Sequence, residues 1–181
     1  MLRGLYLLLL FGLLFTACAP GPSSSPAPSA PAESEATTPP EAFAPMLAAV
    51  NDARRSGYDC GPEGQFGAAP PLVWNADLAL AAADHSRDML AGHFFSHTGS
   101  DGTTVSRRVE RWGYDWSLVG ENLAYATPGH FSPVSVVEAW LGSPGHCANL
   151  MHSGFREFGA AKVSGDLEYW TQVFGTPEVV R

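Results

Sequence analysis

The sequence predicts an α/β protein whose folded part is a three-layer α/β/α sandwich with a small, mainly antiparallel central sheet. Amphipathic helical segments alternate with fewer strand segments, and two strands are joined by a hairpin-like turn. The last strand, 167–174, carries bulky apolar residues on both faces, which is typical of a central strand covered by helices on both sides. A chain of 181 residues can form one domain with a sizeable core but not two ordinary domains.

Five segments have helical signals, and several begin or end at a typical capping residue. Asn75 precedes an alanine-rich amphipathic run and is a favoured N-cap residue. Ser132 and Pro133 provide an N-cap followed by proline at the first helical position. Glycines follow three of the segments, where helices commonly end. The predicted helices are 41–56, 76–91, 105–112 and 133–141, with a short helical turn over 144–151.

Three strands are predicted, at Leu118–Ala126, Glu157–Val163 and Leu167–Phe174. The last two are separated by Ser164-Gly165-Asp166, a sequence suited to a tight turn between antiparallel strands. Three or four strands with helices on both faces would complete the sandwich.

The first 17 residues have the features of an export signal. Arg3 precedes the apolar run Leu5–Phe15, which is too short to span a bilayer as a helix. The following Phe-Thr-Ala-Cys resembles a bacterial lipoprotein signal, which implies that Cys18 is lipidated and becomes the new N-terminus. Secretion with cleavage after Ala17 and a free Cys18 is the alternative. A lipidated chain would be held at the membrane of the cell envelope, outside the cytoplasm.

Residues 18–40 are predicted to be a disordered tether between the lipidated cysteine and the domain, 41–181. The segment is rich in Pro, Ser and Ala, and it has too few apolar residues to form a core. The whole chain has a formal net charge of −8 and no basic run. A nucleic-acid partner therefore has no electrostatic basis. We expect a monomer.

Three polar segments each contain a residue that could bind a ligand or transfer a proton: His97 in HFFSHTGSDGTT, Glu121 in GENLAYA and His146 in SPGHCANLM. In the predicted strand, Glu121 shares a face with Leu123 and Tyr125. A carboxylate on an apolar face is costly unless it is paired, hydrogen-bonded or bound to a metal. The two histidines are its plausible partners.

The order FSHTGSDG, GENLAYA, W-x-x-SPGHCANLM and YWTQVFG resembles the CAP superfamily, the SCP-like domain of cysteine-rich secretory proteins, antigen 5 and plant pathogenesis-related 1. The resemblance runs from Phe43 to Thr176. It implies an α/β/α sandwich with an open cavity, lined by two histidines and two acidic residues that bind a divalent ion in some members. The matching positions are His97, Glu121 and His146, but the second acidic residue falls on Ser143. His152 or Asp101 could replace it.

These observations leave three functions open. The first is a binding or recognition module at the cell surface, and the resemblance permits a lipid, sterol-like or other envelope ligand. The second is a hydrolase that uses zinc or calcium at His97, Glu121 and His146 to act on peptide or cell-wall material, since two histidines and a carboxylate can bind catalytic zinc. The third is a structural domain in which the cluster only holds loops together. The sequence favours binding over catalysis, because it has no HExxH, GxSxG, P-loop or CxxC motif.

Cys60 and Cys147 remain once Cys18 is assigned to the lipid anchor. An exported protein enters an oxidising compartment, so we expect these two cysteines to form a disulfide rather than two free thiols. Such a bridge would hold the His146 segment to the N-terminal part of the domain.

Three other polar residues have structural interpretations. His85 lies on the apolar stripe of the second helix with Leu78 and Met89, which favours a core histidine over a ligand. Asn122 and Asn149 neighbour the candidate residues, and we expect them to bond the backbone of loops rather than a ligand.

Overall fold

The computed structural model describes residues 38–179. The predicted signal peptide, Cys18 and most of the tether lie outside this range. The helices are α1 (Ala44–Ser56), α2 (Ala76–Gly92), α3 (Val105–Arg111), α4 (Pro133–Leu141) and α5 (Pro144–Met151). The strands are β1 (Tyr58–Asp59), β2 (Gln65–Phe66), β3 (Val73–Trp74), β4 (Trp116–Ala126), β5 (Glu157–Ser164) and β6 (Glu168–Pro177). A 3₁₀ turn, Gly61–Glu63, lies between β1 and β2.

Four strands form the central sheet in the order β3-β5-β6-β4. The pairs β5–β6 and β6–β4 are antiparallel, and the two-residue strand β3 is parallel to β5. The sheet is therefore mainly antiparallel, and β6 lies inside it as its apolar faces predicted. Strands β1 and β2 form a separate antiparallel pair. Strands β1, β2 and β3 are not predicted from the sequence, because each is only two residues long and cannot show a pattern of alternation.

Helices cover both faces of the sheet. Trp170 and Phe174 of β6 belong to a core cluster shared with α1 and α4, which contribute Val50 and Trp140. Val173 of the same strand belongs to a second cluster, which includes residues of α2 and α3. Because neighbouring residues of a strand point to opposite faces, the two clusters lie on opposite sides of the sheet. This arrangement confirms the predicted three-layer α/β/α sandwich.

The predicted helix ends are largely confirmed. The side chain of Asn75 accepts a hydrogen bond of 3.0 Å from the amide of Leu78, and Ser132 forms a capping box with Ser135. Helix α1 begins at Ala44 rather than at residue 41. Pro45 explains the later start, because proline has no amide hydrogen and fits a helix well only in its first turn.

The packing of α2 on the sheet depends on Gly159 of β5. A Cβ atom at this position would lie 2.2 Å from the backbone nitrogen of Ala79 and 2.5 Å from the carbonyl carbon of Leu78. Both atoms belong to the backbone of α2, so neither can move without moving the helix. The absence of a side chain at Gly159 therefore sets the distance between α2 and the sheet.

Arg54 connects α1 to the segment before β3 and to the C-terminal end of α5. Its buried guanidinium donates hydrogen bonds to the carbonyl oxygens of Pro70, Leu150, His152 and Phe155. Burial, together with the charge of Arg156, lowers the pKa of Arg54 to about 10. The side chain remains charged at neutral pH and holds the end of α5 through backbone oxygens.

Two side chains bind the backbone of β4, a strand at the edge of the sheet. The indole nitrogen of Trp140 donates to the carbonyl oxygen of Leu123 at 3.0 Å, and the Asn149 amide donates to that of Glu121 at 3.1 Å. An edge strand presents backbone groups that need partners. Helices α4 and α5 therefore fix the position of the strand that carries Glu121.

The close contact at Gly159 gives a test of this packing. We expect Gly159→Ala to lower the free energy of unfolding by about 3 kcal/mol or more, because the added methyl group overlaps the backbone of α2. Gly145→Ala is the matched control, since a Cβ atom there meets nothing within 4 Å. Urea denaturation followed by circular dichroism measures both values. Equal stability of the two variants would contradict the proposed role of Gly159.

Candidate functional site

The site is built around the carboxylate of Glu121 on β4, a residue that is only 5% exposed. Its Oε1 accepts a hydrogen bond of 2.8 Å from Nδ1 of His97, and its Oε2 accepts one of 2.6 Å from Arg108. A buried carboxylate is stable when it is paired and hydrogen-bonded. Both oxygens of Glu121 meet this condition through residues from a loop and from α3.

Arg108 fixes the loop as well as the carboxylate. Its guanidinium donates to the carbonyl oxygens of His97 and Thr103 at 3.0 to 3.2 Å. Arg108 is not among the site residues predicted from the sequence. No signal in the sequence distinguishes it, because the three arginines of this short helix differ in burial only once the helix is packed. Arg108 is then buried beside Val109, whereas Arg107 and Arg111 are exposed.

The imidazole of His97 lies at the surface of the site, and its side chain is 61% exposed. Because a carboxylate can only accept a hydrogen bond, Nδ1 of His97 must carry the proton that is shared with Glu121. Nε2 is then the ring nitrogen that a ligand can reach. The predicted pairing of Glu121 with a histidine is therefore present, and it involves His97.

His85 lies beneath this pair with its side chain fully buried. Its Nε2 is 2.8 Å from the carbonyl oxygen of Ser96 and 3.9 Å from Oε1 of Glu121. Burial lowers the pKa of His85, although the nearby charge of Glu121 acts in the opposite direction. His85 is a core histidine as predicted, and it is also a neighbour of the central carboxylate, which the sequence analysis did not foresee.

His146 enters the site from α5. Its Nδ1 is 2.9 Å from the hydroxyl of Ser143, the residue at the position of the family's second acidic group. Burial, and to a smaller extent the nearness of His97, lowers the pKa of His146. Both effects favour a neutral imidazole at neutral pH. Glu121 forms no hydrogen bond with His146 in the part of the chain that the structure describes.

Hydrogen bonds of amide side chains connect the strand that carries Glu121 to the helix that carries His146. Asn122 donates to the carbonyl oxygen of His146 at 3.1 Å and to the side chain of Gln172 at 3.0 Å. Asn149 donates to the side chain of Asn122 and to the carbonyl oxygen of Glu121. Asn122 and Asn149 do bond the backbone as expected, but their acceptors belong to α5 and β4 and not to loops. These bonds connect β4 to the helix that carries His146.

The predicted disulfide between Cys60 and Cys147 is present, with a Cα–Cα distance of 5.5 Å. Both residues are buried, and Cys147 directly follows His146. The bridge joins residues that are 87 positions apart, and closing such a loop contributes about 4.5 kcal/mol in the chain-entropy model. It holds the start of α5, and thus His146, against the N-terminal part of the domain.

The three predicted metal ligands do not form a three-ligand site. No group of three or more His, Cys, Asp or Glu residues within 38–179 is arranged to hold a metal ion. Both oxygens of Glu121 accept hydrogen bonds, and one of the two donors is a guanidinium whose positive charge already balances the carboxylate. Neither candidate for a fourth ligand joins the cluster: Asp101 bonds Thr103 and Arg111, and the ring of His152 packs on Phe155.

The family model described as "CAP: Cysteine-rich secretory protein family" matches residues 47–174. The chain therefore belongs to the CAP family. Two proteins of Bacillus subtilis (strain 168) are similar to it. The membrane protein YlbC is 34% identical over 103 residues, which are 57% of this chain and 28% of that protein. YkwD is 31% identical over 105 residues, 58% of this chain and 39% of that protein. The chain thus spans less than half the length of these relatives.

Solved structures show the same fold. An extracellular protein containing an SCP domain from Bacillus anthracis str. Ames shares 33% identity with a TM-score of 0.53, over 59% of this chain and 34% of that chain. An outer surface protein from Borrelia burgdorferi shares 19% identity with a TM-score of 0.60, and the match covers 74% of this chain and 90% of that protein. NaASP2, solved with Zn²⁺, shares 15% identity with a TM-score of 0.54, and the match covers 77% of this chain and 81% of that protein. The last two similarities concern the fold alone.

The relatives and neighbours include proteins described as extracellular or membrane proteins. Among the described residues of this chain, no helix is both long and apolar enough to cross a membrane. The lipid anchor at Cys18 remains a prediction from the sequence.

Removing Arg108 tests the central pair. We expect Arg108→Met to lower the free energy of unfolding by about 3–5 kcal/mol, because it leaves the Glu121 carboxylate buried without its cation. Arg107→Met removes an exposed arginine of the same helix and should cost less than about 1 kcal/mol. The double variant Arg108→Met/Glu121→Gln should recover part of the loss. Urea denaturation gives all three values, and equal effects of the two single variants would contradict this account.

The buried histidines predict that stability depends on pH. The unfolded chain protonates His85 near its ordinary pKa of about 6.5, whereas burial keeps the folded ring neutral to lower pH. The unfolded state therefore binds more protons below this pKa, and the free energy of unfolding falls as pH decreases from about 7.5 to 5.5. His146 acts in the same direction. Urea denaturation at these two pH values measures the change in the free energy of unfolding. We expect this change to be smaller for His85→Gln than for the wild type. An equal change would contradict the assignment of the pH dependence to His85.

Proposed function

We propose that this chain is an exported CAP-domain protein, anchored to the cell envelope through Cys18, which binds an envelope component in the cavity at His97, Glu121 and His146. The observation that carries the proposal is the engagement of both oxygens of Glu121 by His97 and Arg108. The carboxylate orients the His97 ring and is not free to act as a general base. The cavity therefore presents imidazole nitrogens held in fixed positions, which suits recognition more than proton transfer.

Charge balance supports a ligand other than a metal cation. Arg108 neutralises Glu121, and the lowered pKa of His146 favours a neutral ring. The family's second acidic group is replaced by Ser143, whose hydroxyl is uncharged. No excess of negative charge remains at these residues to attract a divalent ion, so the expected ligand is one that forms hydrogen bonds with imidazoles.

A metal-dependent hydrolase is the second candidate, and one observation favours it. His97 shares its Nδ1 proton with a carboxylate, and histidines that bind metals through Nε2 commonly have such a partner. In this case zinc would be bound by His97 and His146, with Glu121 behind His97 as an orienting group. Two imidazole nitrogens do not suit calcium, which takes oxygen ligands. The ion would supply Lewis-acid chemistry when bound.

Titration calorimetry with zinc and with calcium distinguishes these candidates. We expect the wild-type protein to show no saturable one-site binding at millimolar ion, because the carboxylate is already neutralised. Saturable binding that is lost in His97→Ala/His146→Ala, with folding intact by circular dichroism, would contradict the metal-free proposal and favour the hydrolase. His93→Ala/His130→Ala is the matched control, since it removes two exposed histidines outside the cluster.

A further inference from the structure

Two exposed aromatic rings contact each other at the end of β4. The ring centroids of Phe95 and Tyr125 lie 4.7 Å apart, and the two residues are 46% and 51% exposed. Among the described residues, this is the one aromatic pair in which both partners are exposed. The other large exposed apolar residues, such as Val73 and Trp112, form no such pair.

Contacts with buried residues hold the aromatic pair in position. Tyr125 stacks at 6.1 Å on Tyr169, which is buried in a cluster with Leu123 and Met89. Phe95 follows His93, the one non-glycine residue of the described chain with a positive φ, at 50°. The amide of Phe94 bonds the carbonyl oxygen of Met89, so this left-handed turn ends α2 and begins the loop that carries Phe95.

Tyr125 of the aromatic pair and Glu121 of the histidine site lie on the same face of β4. Tyr125 is four residues from Glu121, so their side chains point to the same side of the sheet, roughly 14 Å apart along the strand. Phe95 is two residues from His97 on the adjoining loop. An extended ligand could therefore contact the aromatic rings at one end and the imidazoles at the other.

Two contacts of titratable side chains lie next to this surface in the described part of the chain. His93 lies 3.6 Å from Asp166, and Glu121 is bound by both His97 and Arg108. An uncharged ligand leaves both of these contacts intact. Open aromatic rings beside hydrogen-bonding groups suit a molecule with flat apolar faces and polar edges. A lipid would instead need a concave apolar site that encloses most of its surface.

We propose that Phe95 and Tyr125 form a stacking platform for a sugar ring of an uncharged carbohydrate, whose neighbouring ring reaches His97 and His146. The proposal rests on the binding function proposed above and names its ligand class. The CH groups of a pyranose ring pack on the Tyr125 ring, with Phe95 beside it. The imidazole nitrogens accept or donate hydrogen bonds to hydroxyl groups.

Titration of the purified full chain with the trimer of N-acetylglucosamine and with maltotriose, followed by saturation-transfer NMR, tests the platform. We expect saturable binding of one of these probes. Phe95→Ala and Tyr125→Ala should each weaken it about tenfold, whereas Tyr125→Phe should stay within about twofold because the ring is kept. Trp112→Ala is the matched control, an exposed aromatic residue outside the pair.

The possible outcomes distinguish binding that needs the Phe95–Tyr125 platform from binding that needs only His97 and His146. Loss of binding in His97→Ala/His146→Ala, but not in Phe95→Ala or Tyr125→Ala, would overturn the platform and leave the cavity function standing. Absence of binding by both sugars would also overturn the platform. A labelled fatty acid is the parallel probe. If it alone binds and the cavity double variant abolishes its binding, the ligand is a lipid and the proposed binding function survives. If neither sugar nor fatty acid binds, both proposals lose their support.

Discussion

The buried carboxylate of Glu121 is the group on which the organisation of the site depends. It lies buried on the edge strand β4. Because an unpaired charge is costly when it is buried, the carboxylate depends on its two partners, Arg108 and His97. Through these two bonds, one strand, one helix and one loop take fixed positions relative to each other. Arg108 extends the same linkage to the backbone of the loop, because it also bonds the carbonyl oxygens of His97 and Thr103.

The second half of the site is fixed by a different set of forces. Helix α5 is held by the disulfide at Cys147, by Asn149 on the backbone of β4 and by Arg54 on its C-terminal carbonyl oxygens. These contacts place His146 beside His97 without any direct bond to Glu121. The result is a cluster of two oriented imidazoles and a neutralised carboxylate. Its polarity comes from hydrogen-bonding groups more than from charge.

Much of this arrangement could be predicted because its signals are local. The apolar faces of β6 predicted its central position, the caps predicted α2 and α4, and the cost of an apolar strand face bearing Glu121 predicted a polar partner. Arg108 could not be assigned, because an arginine in a charged helical segment shows its burial only when the helix is docked. Likewise, the short strand β3 exists only through its pairing with β5, and Gly159 shows its role only against the backbone of α2.

The tautomer of His97 is the most direct test of this account. Long-range ¹H–¹⁵N NMR distinguishes a neutral imidazole with its proton on Nδ1 from one with its proton on Nε2. The bond to Glu121 predicts a proton on Nδ1 and an unprotonated Nε2, and Glu121→Gln should shift this balance. A neutral His97 ring in the wild type with its proton on Nε2 would mean that the central bond is absent, and it would contradict the proposed organisation of the site.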